Sequence, residues 1–157
     1  MSSLKKIISK KSLSRIIFNL KRNRKRIVFT NGCFDILHRG HIDLLRFAKK
    51  RGDILIVGLN SDLSIKKIKG KKRPINSFAN RAKILSELIS TNYIIKQNET
   101  DPIKLLLVIK PSVHCKGSDY NKKDLKENQT LKKIKSKLVL FKIKNKISTS
   151  KILSKLN

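Results

Sequence analysis

From Arg26 onward, short runs of β-branched and aliphatic residues alternate with stretches whose apolar positions recur every three or four residues. The runs are Ile27-Val28-Phe29-Thr30, Ile54-Leu55-Ile56-Val57-Gly58-Leu59, Tyr93-Ile94-Ile95, Val113-His114-Cys115 and Leu138-Val139-Leu140-Phe141. Continuous apolar runs suit strands covered on both faces, and helical stretches between them suit crossover connections. The pattern therefore predicts an α/β protein, a Rossmann-like open sheet of about five parallel strands with helices on both faces. Between the first two strands, Ile42, Leu44, Leu45, Phe47 and Ala48 share one broad helical face, which Gly52-Asp53 ends. Ser77 can cap a helix through Phe78, Ile84, Leu85 and Leu88. Asp101-Pro102 reads as an N-cap followed by proline at the first helical position, opening Ile103 to Ile109, and Pro111 stops that helix. Upstream, Leu13, Ile16, Ile17 and Leu20 predict an amphipathic helix over residues 12–24, docked on the sheet, with residues 1–11 frayed. No repeat, linker or boundary divides the 157 residues, so a single domain with its core in 26–157 is expected.

The formal charge of +29 adds a question of partners. It is concentrated at the ends: residues 1–26 carry ten Lys/Arg and no acid, and residues 121–157 carry twelve Lys and two acids. A basic end can attach to nucleic acid or an anionic membrane without specificity. Aromatic content is only 5%, however, and no nucleic-acid module is recognisable, so nucleic-acid binding is not the expected main function. Abundant Lys, Ile and Asn beside scarce Ala, Gly and Pro is also what an AT-rich genome produces. No apolar stretch reaches the length of a membrane span and the N-terminus has no signal-peptide pattern, so a cytoplasmic location is expected. Cys33 and Cys115 have neither disulfide-scaffold numbers nor zinc-ligand spacing, and read as free thiols.

Chemistry concentrates in Thr30-Asn31-Gly32-Cys33-Phe34-Asp35-Ile36-Leu37-His38-Arg39-Gly40-His41, which joins the first strand to the first helix. Ligands of open α/β sheets bind outside the carboxyl ends of strands. His38 and His41 fall on one face of the helix's opening turn, beside its free N–H groups and positive dipole end, and Gly40 lets a ligand approach the backbone. Two such donors at a helix N-terminus form a phosphate site. Two histidines at this spacing elsewhere would be ordinary surface residues, and zinc lacks a third ligand at a motif-like distance. His114, inside a strand run, reads as a core histidine.

This segment resembles the signature of the HxGH nucleotidyltransferase superfamily in its cytidylyltransferase-like branch, and more closely the adenylyltransferase domains of ADP-heptose synthases. Further motifs stand in family order: Gly58-Leu59-Asn60-Ser61-Asp62, Lys69-Gly70-Lys71-Lys72-Arg73-Pro74-Ile75-Asn76, Asn80-Arg81, Lys116-Gly117-Ser118-Asp119-Tyr120 and Ser148-Thr149-Ser150. Asn-Gly-Cys-Phe-Asp in the first loop favours the heptose branch over glycerol-phosphate or phosphoethanolamine cytidylyltransferases, whose loops usually begin Gly-Thr-Phe-Asp. The family's usual Gly and Thr are replaced here by Ser118 and Ser150.

The resemblance implies transfer of AMP from ATP to D-glycero-β-D-manno-heptose 1-phosphate, releasing pyrophosphate and giving ADP-heptose for lipopolysaccharide core synthesis. His38, His41, Lys69 and Arg73 would be catalytic, with Lys69 and Arg73 in a loop over the phosphates. Asn31, Gly32, Cys33, Phe34, Gly40, Lys116, Asp119, Ser148, Thr149 and Ser150 would bind the nucleotide. Asp35, Asn60, Arg81 and Tyr120 would contact the sugar phosphate. Magnesium would accompany ATP, with Asp35 and Asp119 able to orient it, although Asp35 could instead tie down its own loop. A separate kinase and phosphatase would supply the sugar 1-phosphate, and a homo-oligomer is compatible with the family. Two other readings stand beside this one: a cytidylyltransferase acting on glycerol 3-phosphate or phosphoethanolamine, and a basic RNA-binding protein on a nucleotidyltransferase fold.

Overall fold

In the computed structural model, which describes residues 3–117, 125–142 and 149–154, the first apolar run becomes the strand around which the sheet is built. A 3-10 turn, Ser3–Lys6, leads into β1 (Ile7–Ile8), followed by α1 (Lys10–Arg22), β2 (Ile27–Gly32), α2 (Arg39–Lys49) and β3 (Ile54–Asn60). Then come α3 (Asp62–Lys69), α4 (Phe78–Glu87), β4 (Tyr93–Gln97), α5 (Ile103–Ile109), β5 (Val113–Gly117), α6 (Asn128–Lys133), β6 (Lys137–Phe141) and α7 (Thr149–Leu153). The described strands form one sheet in the order β1-β4-β3-β2-β5-β6, and every pairing is parallel. From β2 the chain steps outward through β3 and β4, then crosses back to β5 and β6 on the other side. The strand order thus reverses between β2 and β5, and the carboxyl ends of those two strands flank the crevice where open α/β sheets hold ligands.

Both faces of the sheet are covered. Val28, Leu55, Val57, Ile94 and Cys115 join Leu45, Ala48, Ala82 and Leu85 in the core under α2 and α4. Ile27, Phe29, Ile56 and Ile95 join Leu13, Ile17, Leu105, Leu106, Ile109 and Leu131 in the core under α1, α5 and α6. This two-sided burial is why the strands are written as unbroken apolar runs.

The five predicted strands are present, and a sixth was not expected. Ile7↔Ile94 and Ile8↔Ile95 pairing extends the sheet by β1, so the segment expected to fray is joined to β4. Helix α1 begins earlier than predicted because Ser9, whose side chain accepts from Ser12 N, caps it. Ser77 caps α4 as expected, accepting from Asn80 N at 3.4 Å. Helix α5 starts one residue late: Pro102 is its N-cap, and Asp101 accepts from Ile103 N at 3.1 Å. Helices α3 and α6 were not predicted. Lys69, expected in a loop, is the last residue of α3, which ends at Gly70 with φ of 93°.

Candidate active site

The sequence from Asn31 to His41 leaves the sheet at the reversal point and re-enters order as α2. Gly32 allows a close approach: a Cβ there would stand 3.0 Å from the Phe34 ring, which would have to shift. Phe34 itself has φ of 45°, a left-handed conformation that costs a bulky residue energy and persists where surroundings impose it. Its buried ring lies 5.0 Å from the His41 ring.

Two polar assemblies hold this loop from outside. In the first, the buried Asp35 carboxylate accepts from Arg73 Nε at 2.6 Å and from the backbone N–H groups of Ile75 and Asn76 at 2.9 Å. Asn76 Nδ2 returns a bond to the Asp35 carbonyl at 2.8 Å. Burial alone would raise the Asp35 pKa, but the Asn76 and Ile75 N–H groups and Arg73 outweigh it and hold it below the usual carboxylate range. In the second assembly, Arg81, 1% exposed, donates from Nη1 to the Cys33 and Asn60 carbonyls at 2.7 and 2.9 Å. Its Nε donates to the Asn76 carbonyl at 2.9 Å and its Nη2 to Asp62 at 2.7 Å. Asn60, also buried, donates to Ser64 Oγ and the Glu99 carbonyl.

Three residues expected on the sugar phosphate have protein partners: Asp35 and Arg81 bond to the loop and the segments beside it, whereas the Asn60 side-chain amide bonds to Ser64 and the Glu99 carbonyl, away from the loop. Arg73 is near the site as expected, but its Nε is committed to Asp35. Lys69 is exposed at the end of α3. Its cation, with those of Arg81 and Arg73, acts on Cys33, whose thiol is nevertheless pushed up by burial.

His38 is the N-cap residue of α2, and its ring stacks on that of His41 with centroids 3.7 Å apart and planes 22° apart. Burial lowers the His38 pKa. For His41, burial first and the neighbouring His38 second lower it to about 4, against a small opposing effect of the Ile36 carbonyl. Both rings are therefore neutral at pH 7, each with one N–H, that of His41 shared with the Ile36 carbonyl. His38 Nδ1 is buried with no hydrogen-bond partner beside the free N–H groups at the start of α2; Asn31 Oδ1, also buried and unpartnered, is an acceptor and adds nothing for an anion. No acidic residue occupies the first turn of α2 to compete for those N–H groups. The arrangement can receive an anion with several oxygens, as a phosphate chain has.

Helix α7 reaches this loop: Thr149 Oγ1 donates to the Ile36 carbonyl at 3.3 Å, which places Thr149 beside it. Gly40 is buried in the opening turn of α2. Lys116 is at the carboxyl end of β5, level with Asn31, since Thr30 pairs with Cys115 one position earlier. Ser118, Asp119, Tyr120, Ser148 and the side chain of Ser150 lie outside the described residues. His114 is a core histidine as read from its strand, fully buried and stacked on Phe29 at 5.4 Å. Both cysteines are free. Among the described residues no group of three or more His, Cys, Asp or Glu could hold a metal ion, and no helix is long and apolar enough to cross a membrane.

Glu127 was missed entirely. It is 2% exposed and pairs with Lys116 at 2.6 Å. Its one sequence signal was being an acid within a lysine-rich stretch. Asn76 and Asp62 lay inside recognised motifs but were given no role.

A family model described as cytidylyltransferase-like matches residues 29–155. The chain is 48% identical over 123 residues to "Bifunctional protein HldE" of Helicobacter pylori strain J99, covering 78% of this chain and 27% of that protein. It is 44% identical over 133 residues to the protein of the same name from Wolinella succinogenes, covering 85% and 28%. The chain thus spans about a quarter of the length of these curated relatives. Among solved structures, a lipopolysaccharide core biosynthesis protein from Thermoplasma volcanium superposes with TM-score 0.64 at 30% identity, covering 78% of this chain and 99% of that one. A pantoate-beta-alanine ligase from Francisella tularensis, complexed with "Beta-gamma ATP" and beta-alanine, shares the fold with TM-score 0.68 at 19% identity, covering 92% of this chain and 68% of that one.

Proposed function

The chain belongs to the cytidylyltransferase-like family of nucleotidyltransferases, and from that premise we propose that it transfers AMP from ATP to D-glycero-β-D-manno-heptose 1-phosphate, releasing pyrophosphate and forming ADP-heptose. The observation that carries the transfer chemistry is the stacked, neutral His38–His41 pair at the N-terminus of α2, on a loop braced by Asp35 and Arg81. The choice of acceptor rests on the Asn-Gly-Cys-Phe-Asp loop and on relatives near 48% identity that carry the HldE name.

An oxygen of the sugar phosphate attacks the α-phosphorus of ATP in line. The new phosphorus–oxygen bond forms as the bond to the β-phosphate breaks, and the electron pair leaves with pyrophosphate. No enzyme nucleophile is needed, so positioning and charge stabilisation supply the rate. The His38 and His41 N–H donors and the first N–H groups of α2 meet the negative charge that grows toward the leaving group. Lys69, at the exposed end of α3, and the unpaired side of the Arg73 guanidinium add positive field. Thr149 brings the start of α7 against the same loop, where its N–H groups face the outer phosphates. The described residues offer no carboxylate cluster for a resident metal. Magnesium enters with ATP in this reading, held by phosphate oxygens and water. The fold performs the transfer step alone, so kinase and phosphatase activities that prepare the sugar 1-phosphate are assigned to other catalytic units, and the reaction to the ATP-containing cytoplasm.

The test is pyrophosphate release with ATP or CTP crossed against heptose 1-phosphate, glycerol 3-phosphate and phosphoethanolamine. Release with ATP and the heptose alone is expected. Release with CTP and an alcohol phosphate would overturn the assignment in favour of a cytidylyltransferase. Silence throughout, with salt-sensitive RNA binding, would overturn the enzymatic reading.

A further inference from the structure

Near the carboxyl end of β5, three ionisable side chains meet. His114 is 0% exposed, Glu127 2% and Lys116 7%. Lys116 Nζ donates to Glu127 Oε1 at 2.6 Å. The same oxygen lies 3.4 Å from His114 Nε2, and His114 Nδ1 lies 3.3 Å from the Phe29 carbonyl; a neutral ring donates to one of the two. Burying such a carboxylate is costly unless its partners compensate. Here they do: burial would raise the Glu127 pKa, but the His114 and Lys116 hydrogen bonds bring it down to about 2. The assembly spans three elements, because Glu127 precedes α6, Lys116 and His114 belong to β5, and Phe29 belongs to β2.

Its position makes it more than a core ion pair. The register Phe29↔His114 and Thr30↔Cys115 places Lys116 beside Asn31, the residue that opens the α2 loop. By strand alternation the Asn31 side chain shares a face with Phe29 and His114, and its Oδ1 is buried without a hydrogen-bond partner. A fixed cation and an unspent acceptor thus stand side by side at the reversal of the sheet. A lysine stem has four rotatable bonds, and a cation left to choose its own place would lose much of its value to a bound nucleotide.

We propose that Glu127 is a positioning residue of the nucleotide site: it fixes the Lys116 ammonium at the carboxyl edge between β5 and β2, with His114 packing the carboxylate against the sheet. The inference rests on the nucleotidyl-transfer reading, in which Lys116 borders the nucleotide. Glu127 acts through Lys116 and touches no substrate. Its loss reduces nucleotide affinity, and that loss disappears when Lys116 is already absent.

The experiment measures binding of a non-hydrolysable ATP analogue and thermal unfolding for wild type, Glu127→Asp, Glu127→Gln, Lys116→Met and the double variant Lys116→Met/Glu127→Asp. Glu127→Asp keeps the buried charge, so the chain folds, but withdraws the carboxylate by one methylene. It is expected to weaken the analogue several-fold, Glu127→Gln and Lys116→Met about tenfold, and the double variant no more than Lys116→Met alone. Wild-type affinity in folded Glu127→Asp overturns the proposal even if its melting temperature falls, since that marks a purely structural pair. Losses that multiply in the double variant overturn it too. The binding readout needs no acceptor, so failure of wild type to use heptose 1-phosphate leaves this test intact. If wild type binds a CTP analogue instead, the series is run with that analogue.

Discussion

Replacing Asp35 with asparagine keeps the side chain's shape and removes its charge from the bracing of the α2 loop. In the native protein the carboxylate accepts from Arg73 Nε at 2.6 Å and from two backbone N–H groups at 2.9 Å while 2% exposed. Hydrogen bonds to a charged group contribute about 1.5–3 kcal/mol each. An amide retains one acceptor oxygen but turns an N–H₂ group toward donors it cannot satisfy. Arg73 is only 13% exposed at its side chain, so water restores little of what it loses, while the retained amide oxygen keeps part of the backbone N–H pairing. The net cost is about 3 kcal/mol, which for a domain of this size lowers the melting temperature by about 6–12 °C. Thermal unfolding followed by circular dichroism at pH 7 measures this, with pyrophosphate release recorded below the transition. A fall of less than about 2 °C, joined to lost turnover that extra magnesium restores, would refute the reasoning and place Asp35 on the metal-bound substrate instead.

Three other outcomes are expected. His41→Ala retains the fold, with melting within a few degrees of wild type, but lowers turnover about 10²–10³-fold because a transition-state donor is lost; near-normal turnover would remove the role assigned to the stacked pair. Stability falls on acidification between about pH 6.5 and pH 4: the unfolded His41 takes up its proton at the higher value and the folded one only near the lower, so the unfolded state binds more protons in that window. His41 alone accounts for about 2 kcal/mol between pH 7 and pH 5, and urea midpoints at the two pH values, compared with His41→Gln, check that share. Arg81→Met leaves three carbonyls without their buried donor, while Asp62, 40% exposed at its side chain, is rehydrated, and is expected to cost about 3–5 kcal/mol; a urea midpoint close to wild type would show that the cluster does not brace the loop.

The strands were legible because burial on both faces leaves nothing to alternate: Ile54 to Leu59 is apolar without a break. Strand β1 was not, since Ile7 and Ile8 sit among lysines and pair only because β4 offers an edge at Ile94 and Ile95. Helix α3 escaped for a related reason. Of its apolar residues Ile65 is buried while Leu63 is 72% and Ile68 40% exposed, so its pattern describes no single buried face. At the site, the motif residues were legible as a group and their division of labour was not. Whether Asp35 meets a substrate or a neighbour is decided by Arg73, Ile75 and Asn76, some 40 positions along the chain, and local spacing carries no record of that distance. Glu127 was hidden in the same way, because its partners arrive from β5.

That division follows one physical rule. Polar side chains around the loop whose hydrogen bonds are taken up by it and its neighbours, Asp35 and Arg81, lock its shape before a ligand arrives. His38 Nδ1, with capacity left beside the start of α2, remains for a ligand to meet. A loop fixed in this way needs no reorganisation as charge moves from the α-phosphorus to the leaving pyrophosphate, which is what makes preorganised donors effective. The depressed histidines fit the same requirement. A neutral imidazole N–H stabilises charge as it develops without gripping the fully charged product as an imidazolium would, and two imidazolium rings 3.7 Å apart would repel each other. The stacking that looks wasteful for a pair of cations is therefore the geometry that keeps them donors.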